Sequence, residues 1–413
     1  MLRRKHKLSF GFFMIFFIIL TCSGHGPASG TSAQAVISMD LAAYRAYLDN
    51  GQPPLDRLFR LENTLYFLVS GRDLGRLAGQ GTNFSEFPAD GHFGRIAPES
   101  GNGLYHSHIE VLDQSQSLAD NHPQLAQTIS IGTSLEGRSL QVIKISDNVS
   151  QEEFEPNIFI VGCHHGREWI SVEVPLLFAE YLLVNYAVNP RVRRIVDGCQ
   201  IYILPVQNPD GLEFSIHYHR MWRKNRRYSG DYTWGVDPNR NYGFAWGHDD
   251  IGSSPEPYSG VYRGPAPFSE PGTQAVRDFL LAHPPAGSLN FHNFSQFILY
   301  PWGYTEAPSI HEAEFAVLAA AMSDLIYQTS GRVYTYGPGA TTIYPTNGDT
   351  DDWIYGTFAA PAFTIELPPE SFLDGGFITD EDIIASVVAE MRPAMLHFIE
   401  HVMKRQPAEK QPE

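Results

Sequence analysis

The sequence NIFIVGCHHGREWI occupies residues 157–170. Its first half is a short apolar run rich in Ile and Val, which predicts a buried strand over Asn157–Cys163. Helical spacing of apolar residues follows at once, over Trp169–Tyr186. A buried strand that passes directly into a helix indicates an α/β fold. The polar residues between the two elements lie where such folds place their functional sites, beyond the carboxyl end of the strand.

The alternation of strands and helices continues along the chain. Apolar runs predict four further strands, at Leu140–Ile145, Cys199–Val206, Ser288–Tyr300 and Ala362–Leu367. Helices are predicted over Ile310–Tyr327 and from an N-cap at Thr379 to about Lys404, with a bend or break near Pro393. This pattern predicts an α/β fold with a mixed, mainly parallel central sheet and helices on both faces.

The N-terminus has the features of an export signal. Four basic residues within positions 3–7 precede the apolar run Leu8–Leu20, which is too short to span a bilayer comfortably. Residues 1–35 are therefore a predicted signal peptide, with cleavage after the pattern Ala33-Gln34-Ala35. Alternatively, Cys22 ends a loose lipobox and would carry a lipid anchor. Both readings predict a secreted, periplasmic or otherwise extracytoplasmic protein, with no stable membrane span in the mature chain unless it is lipid-anchored at Cys22.

Residues 36–102 differ in pattern from the rest of the chain. Helical patterns at Asp40–Leu48 and Gly71–Leu77 flank an apolar strand at Leu65–Val69, and the Gly- and Pro-rich stretch Phe87–Gly103 predicts a linker. We therefore separate these residues from a large domain at residues 103–404 and a polar tail at residues 405–413.

Composition narrows the classes of function. The chain has 413 residues, 43% of them hydrophobic and 18% charged, so it can bury a large core. The formal net charge of -17 argues against a nucleic-acid partner, which requires a basic surface. Cys163 and Cys199 lie in predicted buried strands, and the sequence does not determine whether they pair.

A His-x-x-Glu pattern indicates a candidate metal site. His165 and Glu168 lie at the strand-to-helix turn, and imidazole and carboxylate groups are ordinary zinc ligands. The spacing alone is weak evidence, because His311–Glu314 and His397–Glu400 repeat it inside predicted helices. The position at a strand end favours the first pair. A third ligand is expected from another strand end, where His292 lies.

Several motifs together resemble the zinc metallocarboxypeptidases of the pancreatic A/B type. They are His165–Ile170, Asn208–Gly211, Met221–Lys224, Val236–Asn241, Ser295–Tyr304, Thr342–Tyr344 and Phe363–Leu367, in the family's order. The likeness covers about residues 103–404. It implies one Zn²⁺ per chain, bound by His165, Glu168 and His292. It also implies that residues 36–102 correspond to a shortened inhibitory prosegment and its linker.

The resemblance also implies the catalytic groups. Glu366 ends an apolar strand, where a carboxylate without a task is energetically costly. It matches the family's general base. Arg223 follows Trp222 in a basic run and matches the group that stabilises the oxyanion of the reaction.

Further matches imply an exopeptidase. Arg240 corresponds to the guanidinium that binds a free C-terminal carboxylate by two parallel hydrogen bonds, assisted by Asn239 and Tyr344. Arg167 corresponds to the arginine beside the entering peptide. We therefore expect the chain to remove one residue at a time from the C-termini of peptides or proteins.

Specificity is expected to depend on Asp351. It aligns without a gap with the base of the family's specificity pocket, where relatives with Asp prefer C-terminal Lys or Arg. Gly303 and Gly339 would line this pocket without side chains and leave room for a long basic residue. Asp349 keeps mixed specificity open as a second reading, because some bacterial relatives with an acid there accept both basic and apolar termini.

Two other functions compete with this one. A cell-wall muropeptide peptidase of the same fold would need neither Asp351 nor the pair Asn239–Arg240. A non-catalytic binding protein would usually have lost a zinc ligand or the base, and all of them are present. Asn293-Phe294 stands where relatives commonly have Ser-Tyr, and we expect this departure to alter contacts to the penultimate substrate residues.

Overall fold

The structure is a computed structural model, and it describes residues 34–52, 55–61, 64–87, 102–230 and 233–405. Residues 1–33 of the predicted signal peptide, including Cys22, most of the predicted linker and the tail after Arg405 lie outside these residues, whereas Gln34 and Ala35 belong to the first strand.

The N-terminal module, residues 34–87, is an antiparallel sheet with two helices. Its elements are β1 (Gln34–Asp40), α1 (Leu41–Asp49), β2 (Asp56–Leu61), β3 (Thr64–Ser70), α2 (Gly71–Gly79) and β4 (Ser85–Phe87). The strand order is β2-β3-β1-β4. Alternate residues Leu65, Phe67 and Val69 of β3 are buried, as the period of a strand with one covered face requires. Their core also contains Ile37 and Leu77, so the module has its own hydrophobic interior.

The main domain is built on an eight-stranded sheet. Its strands are β5 (Ala126–Thr133), β6 (Ser139–Ile145), β7 (Asn157–Gly162), β8 (Gln200–Leu204), β11 (Pro285–Asn293), β12 (Phe297–Tyr300), β13 (Thr335–Pro338) and β14 (Ala362–Leu367), while β9 (Tyr228–Gly230) and β10 (Thr233–Trp234) form a separate hairpin. The order is β13-β12-β14-β11-β7-β8-β6-β5. The central run β14, β11, β7 and β8 is parallel, whereas β6 and β5 add antiparallel strands at one edge. The predicted mixed, mainly parallel sheet is confirmed.

Helices cover both faces of this sheet. They are α3 (His108–Asn121), α4 (Ile170–Asn185), α5 (Pro190–Val196), α6 (Pro209–His217), α7 (Pro271–Ala282), α8 (Glu312–Ser330), α9 (Gly339–Thr342), α10 (Thr350–Phe358) and α11 (Ile384–Lys404). One core packs α4, α8 and α11 on the sheet, and a second core packs α7 and α10 on the other face. Among the described residues, no single helix has the length and apolar character needed to cross a membrane. Helices α4 and α5, which are bent by 109° relative to each other, have sufficient length and apolar character only when they are taken together.

The predicted single strand Ser288–Tyr300 is wrong, because two strands occupy this stretch. Strand β11 pairs in parallel with β7 and β14, whereas β12 pairs antiparallel with the opposite edge of β14. The chain reverses between them through Ser295 and Gln296, which adopt φ values of 135° and 56°. Since neither is Gly or Pro, the sequence carries no ordinary turn signal here.

The predicted start of the last helix is also wrong. Helix α11 begins at Ile384 after a single 3-10 turn at Glu381–Ile383, and the hydroxyl of Thr379 instead lies 2.6 Å from the Tyr105 hydroxyl. The helix continues through Pro393 without a break. Its packing against α4 and α8 offsets the one backbone hydrogen bond that a proline removes. Cys163 and Cys199 are both buried and free, so they do not form a disulfide.

Candidate active site

The carboxyl ends of three neighbouring strands converge on one cleft. His165 and Glu168 follow β7, His292 lies near the end of β11, and Glu366 lies near the end of β14. His292 and Glu366 are direct neighbours in the register of these two parallel strands. Residues far apart in sequence therefore meet because parallel strands end at the same edge of a sheet.

Three of these side chains form a buried cluster of metal-ligating type. The Nδ1 atoms of His165 and His292 lie 2.8 and 2.9 Å from the carboxylate oxygens of Glu168, and 3.1 Å from each other. One candidate ligand atom from each of the three residues falls within 4.8 Å of the others. Two imidazoles and a carboxylate that leave a fourth position open are a typical catalytic zinc set.

The electrostatics of the cluster suit a cation. Burial alone would favour the protonated form of Glu168. The imidazoles of His165 and His292 nevertheless lower the pKa of Glu168 well below its ordinary value. Burial also lowers the pKa of His292 to about 4, so this imidazole is neutral and has a free lone pair at ordinary pH. A carboxylate and a neutral imidazole are the protonation states that metal binding needs.

Asp237 supports the cluster, and sequence reasoning had assigned it no role. Its Oδ1 lies 3.2 Å from Nε2 of His165, and its Oδ2 accepts hydrogen bonds from Nε and Nη2 of Arg223 at 3.0 and 2.8 Å. Burial opposes its charge, but Arg223 and His165 lower the pKa of Asp237 well below its usual value. This carboxylate therefore orients a metal ligand and an arginine together. Its place inside the motif Val236–Asn241 was the available signal.

The other two His-x-x-Glu matches are structural. Oε1 of Glu314 accepts hydrogen bonds from His401 and Arg405, and the carboxylate of Glu400 accepts two from Arg191. These glutamates pair elements of the fold, as expected for a spacing that arises by chance on helices.

The cleft brings together every site residue that the sequence predicted. Its volume is about 500 Å³. The twelve predicted residues that line it are His165, Arg167, Glu168, Arg223, Asn239, Arg240, His292, Gly303, Gly339, Tyr344, Asp351 and Glu366. Within the described residues, the carboxylate of Glu366 has no hydrogen-bond partner. Burial and the charge of Glu168 raise the pKa of Glu366 well above its ordinary value, although three nearby arginines oppose the shift.

Two arginines of the cleft are held from behind. Arg240 donates from Nε to the carbonyl of Gly252 at 2.9 Å and from Nη1 to the carbonyl of Asn239 at 2.6 Å. The guanidinium of Arg167 lies 3.9 Å from the ring centroid of Phe377, which also lines the cleft. Such anchoring fixes both side chains before a ligand arrives.

One acid that lines the cleft, Asp351, is incompletely hydrogen-bonded. Oδ2 of Asp351 accepts a hydrogen bond from the Thr364 hydroxyl at 2.6 Å, whereas its Oδ1 is buried and has no partner among the described residues. Burial, followed by the charge of Asp349, raises the pKa of Asp351 well above its ordinary value. A cationic ligand would supply the missing partner and stabilise the ionised carboxylate.

The other two acids of this region are already engaged. Asp349 caps α10 by accepting from the backbone N–H of Asp352 at 2.8 Å, and its other oxygen accepts from the Thr346 hydroxyl. Asp352 accepts from the backbone N–H groups of Gly303 and Tyr304. Asp351 is thus the acid that the fold leaves open toward the cleft.

Comparison with known proteins gives the family. The zinc carboxypeptidase family model matches residues 111–394. The chain belongs to the zinc carboxypeptidase family. It is accordingly a zinc metallocarboxypeptidase, a hydrolase of a family that acts on peptide C-termini, and the cluster of His165, Glu168 and His292 fits the family's catalytic Zn²⁺.

Individual relatives agree with the family match. This zinc carboxypeptidase is 33% identical to carboxypeptidase A1 of Rattus norvegicus over 302 residues, which are 73% of this chain and 70% of the relative. It is 36% identical to carboxypeptidase B of the same organism over 291 residues, 70% and 68% of the two chains. The solved carboxypeptidase A of Helicoverpa armigera superposes with a TM-score of 0.74 at 26% identity, covering 90% of this chain and 98% of its own.

Proposed function

We propose that this zinc carboxypeptidase is an exported enzyme that preferentially releases C-terminal Lys or Arg. The observation that carries the specificity is Asp351, which lines the cleft and whose buried Oδ1 has no partner among the described residues. A long cationic side chain would pair with this oxygen. An apolar side chain would leave the acid unpaired in an apolar environment, which costs on the order of 1–3 kcal/mol.

The terminal residue would be held at both ends. The guanidinium of Arg240 and the amide of Asn239 would bind its carboxylate, with Tyr344 beside them and Asp351 at the far end of its side chain. Arg167, whose guanidinium lies against the Phe377 ring, would contact the preceding peptide residues. Gly303 and Gly339 contribute no side chains to the pocket, which favours a long substrate side chain.

The remaining groups would perform hydrolysis. His165, Glu168 and His292 would hold the zinc ion, which would polarise the substrate carbonyl and lower the pKa of a bound water toward neutral. Glu366 would accept the proton of the attacking water and pass it to the departing amine, since its carboxylate is open to the cleft. Arg223 would stabilise the negative charge that develops on the carbonyl oxygen, and Asp237 keeps its guanidinium in place.

Strictly basic specificity is favoured over mixed specificity by the bonding of Asp349. Both of its carboxylate oxygens have partners, at the backbone of Asp352 and at the Thr346 hydroxyl. Both carboxylate oxygens of Asp349 already accept hydrogen bonds, whereas Oδ1 of Asp351 accepts none among the described residues. We therefore assign the recognition of a cationic side chain to Asp351.

Export and maturation complete the proposal. Residues 1–35 would direct export, and residues 36–102 would be a shortened prosegment and linker preceding a catalytic domain at residues 103–404. Two observations support the prosegment. The N-terminal module has its own core, and it contacts the main domain where Arg76 donates to the Tyr258 hydroxyl at 2.6 Å.

Release of amino acids from matched peptides tests this function. Peptides that differ only in a terminal Arg, Lys, Phe, Leu or Glu are offered to the purified enzyme before and after limited proteolysis, with and without a zinc chelator. We expect chelator-sensitive release of Arg and Lys at least about tenfold faster than release of Phe or Leu. Equal release of Phe and Arg would refute basic specificity. Release of nothing from any of the linear peptides by zinc-loaded enzyme would favour the muropeptide alternative.

A further inference from the structure

A buried hydrogen-bond chain lies behind the carboxylate-binding end of the cleft. It joins Asn239 to Thr350, Thr350 to His164, and His164 to Tyr242. Among these, His164, Thr350 and Tyr242 are each 0% exposed, and none of the three lines the cleft. The proposed catalytic steps and the proposed recognition of charge do not use them.

Two hydrogen bonds from Thr350, one from its backbone and one from its side chain, orient the Asn239 amide. Its Oδ1 accepts hydrogen bonds from the backbone N–H of Thr350 at 3.0 Å and from the Thr350 hydroxyl at 2.8 Å. The Nδ2 group must then lie on the other side, where its neighbour is Nε2 of His292 at 3.4 Å. Because His292 presents Nδ1 to the metal cluster, its Nε2 carries the ring hydrogen and cannot accept. The Asn239 NH₂ group is therefore left to donate to a ligand.

The position of the ring hydrogen on His164 determines which groups donate and which accept along this hydrogen-bond chain. Its Nε2 lies 3.0 Å from the hydroxyls of both Thr350 and Tyr242, whereas its buried Nδ1 has no partner among the described residues. A buried N–H without an acceptor is rarer and costlier than a buried lone pair. The ring hydrogen therefore belongs on Nε2, from which it donates to Thr350 Oγ. The hydroxyl hydrogen of Thr350 is thereby directed to Asn239 Oδ1.

We propose that Thr350 and His164 are positioning residues for substrate recognition, which orient the Asn239 amide so that its NH₂ group meets the C-terminal carboxylate beside Arg240. The inference rests on the proposed function, because it requires a carboxylate ligand at Asn239 and Arg240. Thr350 also stands between Asp349 and Asp351 in the chain, so one residue links the carboxylate site to the base of the pocket.

Kinetics of Thr350 variants provide the test. Thr350→Val keeps the shape of the side chain and removes the hydroxyl. We expect KM for an Arg-terminated peptide to rise about 5-fold, as for one lost hydrogen bond, while kcat stays within about 2-fold, because the contact is equal in the ground and transition states. Thr350→Ser should restore KM. Thr273→Val is the matched control, since Thr273 donates to Asn241 at 2.7 Å in another buried Thr–Asn pair outside the cleft.

Calorimetric titration with arginine and with argininamide separates recognition from damage to the fold. Thr350→Val should weaken arginine about 5-fold and leave argininamide, which lacks the carboxylate, unchanged. An unchanged KM in active Thr350→Val, or equal weakening of both ligands, overturns the positioning role. Thr350→Ala removes the same hydroxyl and replaces the valine variant if that one does not fold. Wild-type enzyme that binds arginine no tighter than argininamide overturns the proposed carboxylate site, and the inference with it.

Discussion

The two ends of the cleft are built differently. At the metal end, the outer ring nitrogen of His165 and the guanidinium of Arg223 both contact Asp237, so these groups are held in place before any ion binds. At the pocket end, Asp351 keeps one buried oxygen without a partner. The first arrangement is preorganised for chemistry. The second contains a buried oxygen without a partner, and under the proposed function a cationic substrate would pair with it and so be selected.

The largest effect should come from the chemistry itself. Glu366→Gln cannot accept a proton, so kcat for an Arg-terminated peptide should fall about 10²- to 10⁴-fold. KM should change little, because both the pocket and the metal ligands are intact. Steady-state kinetics with a parallel zinc determination checks this. Retention of more than about a tenth of the wild-type kcat, with zinc bound, would remove Glu366 from the role of base.

Removing the charge of Asp351 should change the substrate preference of the enzyme without impairing the hydrolytic step. Asp351→Asn keeps an acceptor for Thr364 but leaves a bound guanidinium without its counter-charge, so kcat/KM for Arg-terminated peptides should fall about 10²- to 10³-fold. Release of Phe should be preserved or increase. Asp349→Asn is the matched control, because asparagine caps a helix nearly as well as aspartate. A loss of Arg release as large in the control would assign the charge recognition to both acids.

Substituting Asp237, which contacts both His165 and Arg223, should reduce activity less than the two changes above. Asp237→Asn removes the negative charge and leaves one acceptor oxygen where two now serve His165 and Arg223. We expect zinc affinity or kcat to fall about 10- to 100-fold, while the preference for Arg over Phe stays as in the wild type. Chelator competition and kinetics on the two peptides measure both quantities. A changed preference with unchanged zinc affinity would contradict the division of the cleft into two independent ends.

The smallest effect concerns stability away from the cleft. Nδ1 of His106 lies 2.8 Å from the carboxylate of Glu173, which is 0% exposed, and this hydrogen bond raises the pKa of His106 above 6.5 despite partial burial. Because the pKa of His106 is higher in the folded state, its protonation stabilises the fold fully below pH 6.5. This contribution to the free energy of unfolding is lost as the pH rises through the raised pKa. His106→Asn should therefore lower Tm by a few degrees, about 2–4 °C, at pH 5.5 and by less at pH 9. An equal difference at both pH values would show that the charge on His106 contributes nothing.

The sequence predicted the sheet and the clustering of His165, Glu168 and His292, because the signals for both are local. The apolar run at Asn157–Cys163 and the polar turn after it are both visible in one short stretch, and parallel strands bring such turns together. The reversal after His292 was missed because Ser295 and Gln296 adopt positive φ without being glycines. Tertiary pairing of β12 with the far edge of β14 outweighs the local pattern there.

Supporting residues were less predictable than the groups that face the substrate. Asp237 and Thr350 act through other side chains, and their contacts join segments more than ten residues apart. A lone Asp or Thr has no spacing pattern that signals such a role. The N-cap predicted at Thr379 failed for a related reason, because a distant partner, Tyr105, lies against its hydroxyl.

Gly303 shows how the width of the pocket is set. A methyl group there would collide with the hydroxyl of Thr346 and would lie 2.6 Å from Oδ2 of Asp349. In the proposed pocket, Asp351 would select the charge of the substrate side chain, whereas the absence of a side chain at Gly303 would leave space for it. Under this proposal, the size and the charge of the accepted side chain depend on two different positions of the chain. One substitution at Gly303 could therefore restrict the enzyme to shorter cationic C-terminal residues. One substitution at Asp351 could instead remove its preference for cationic residues.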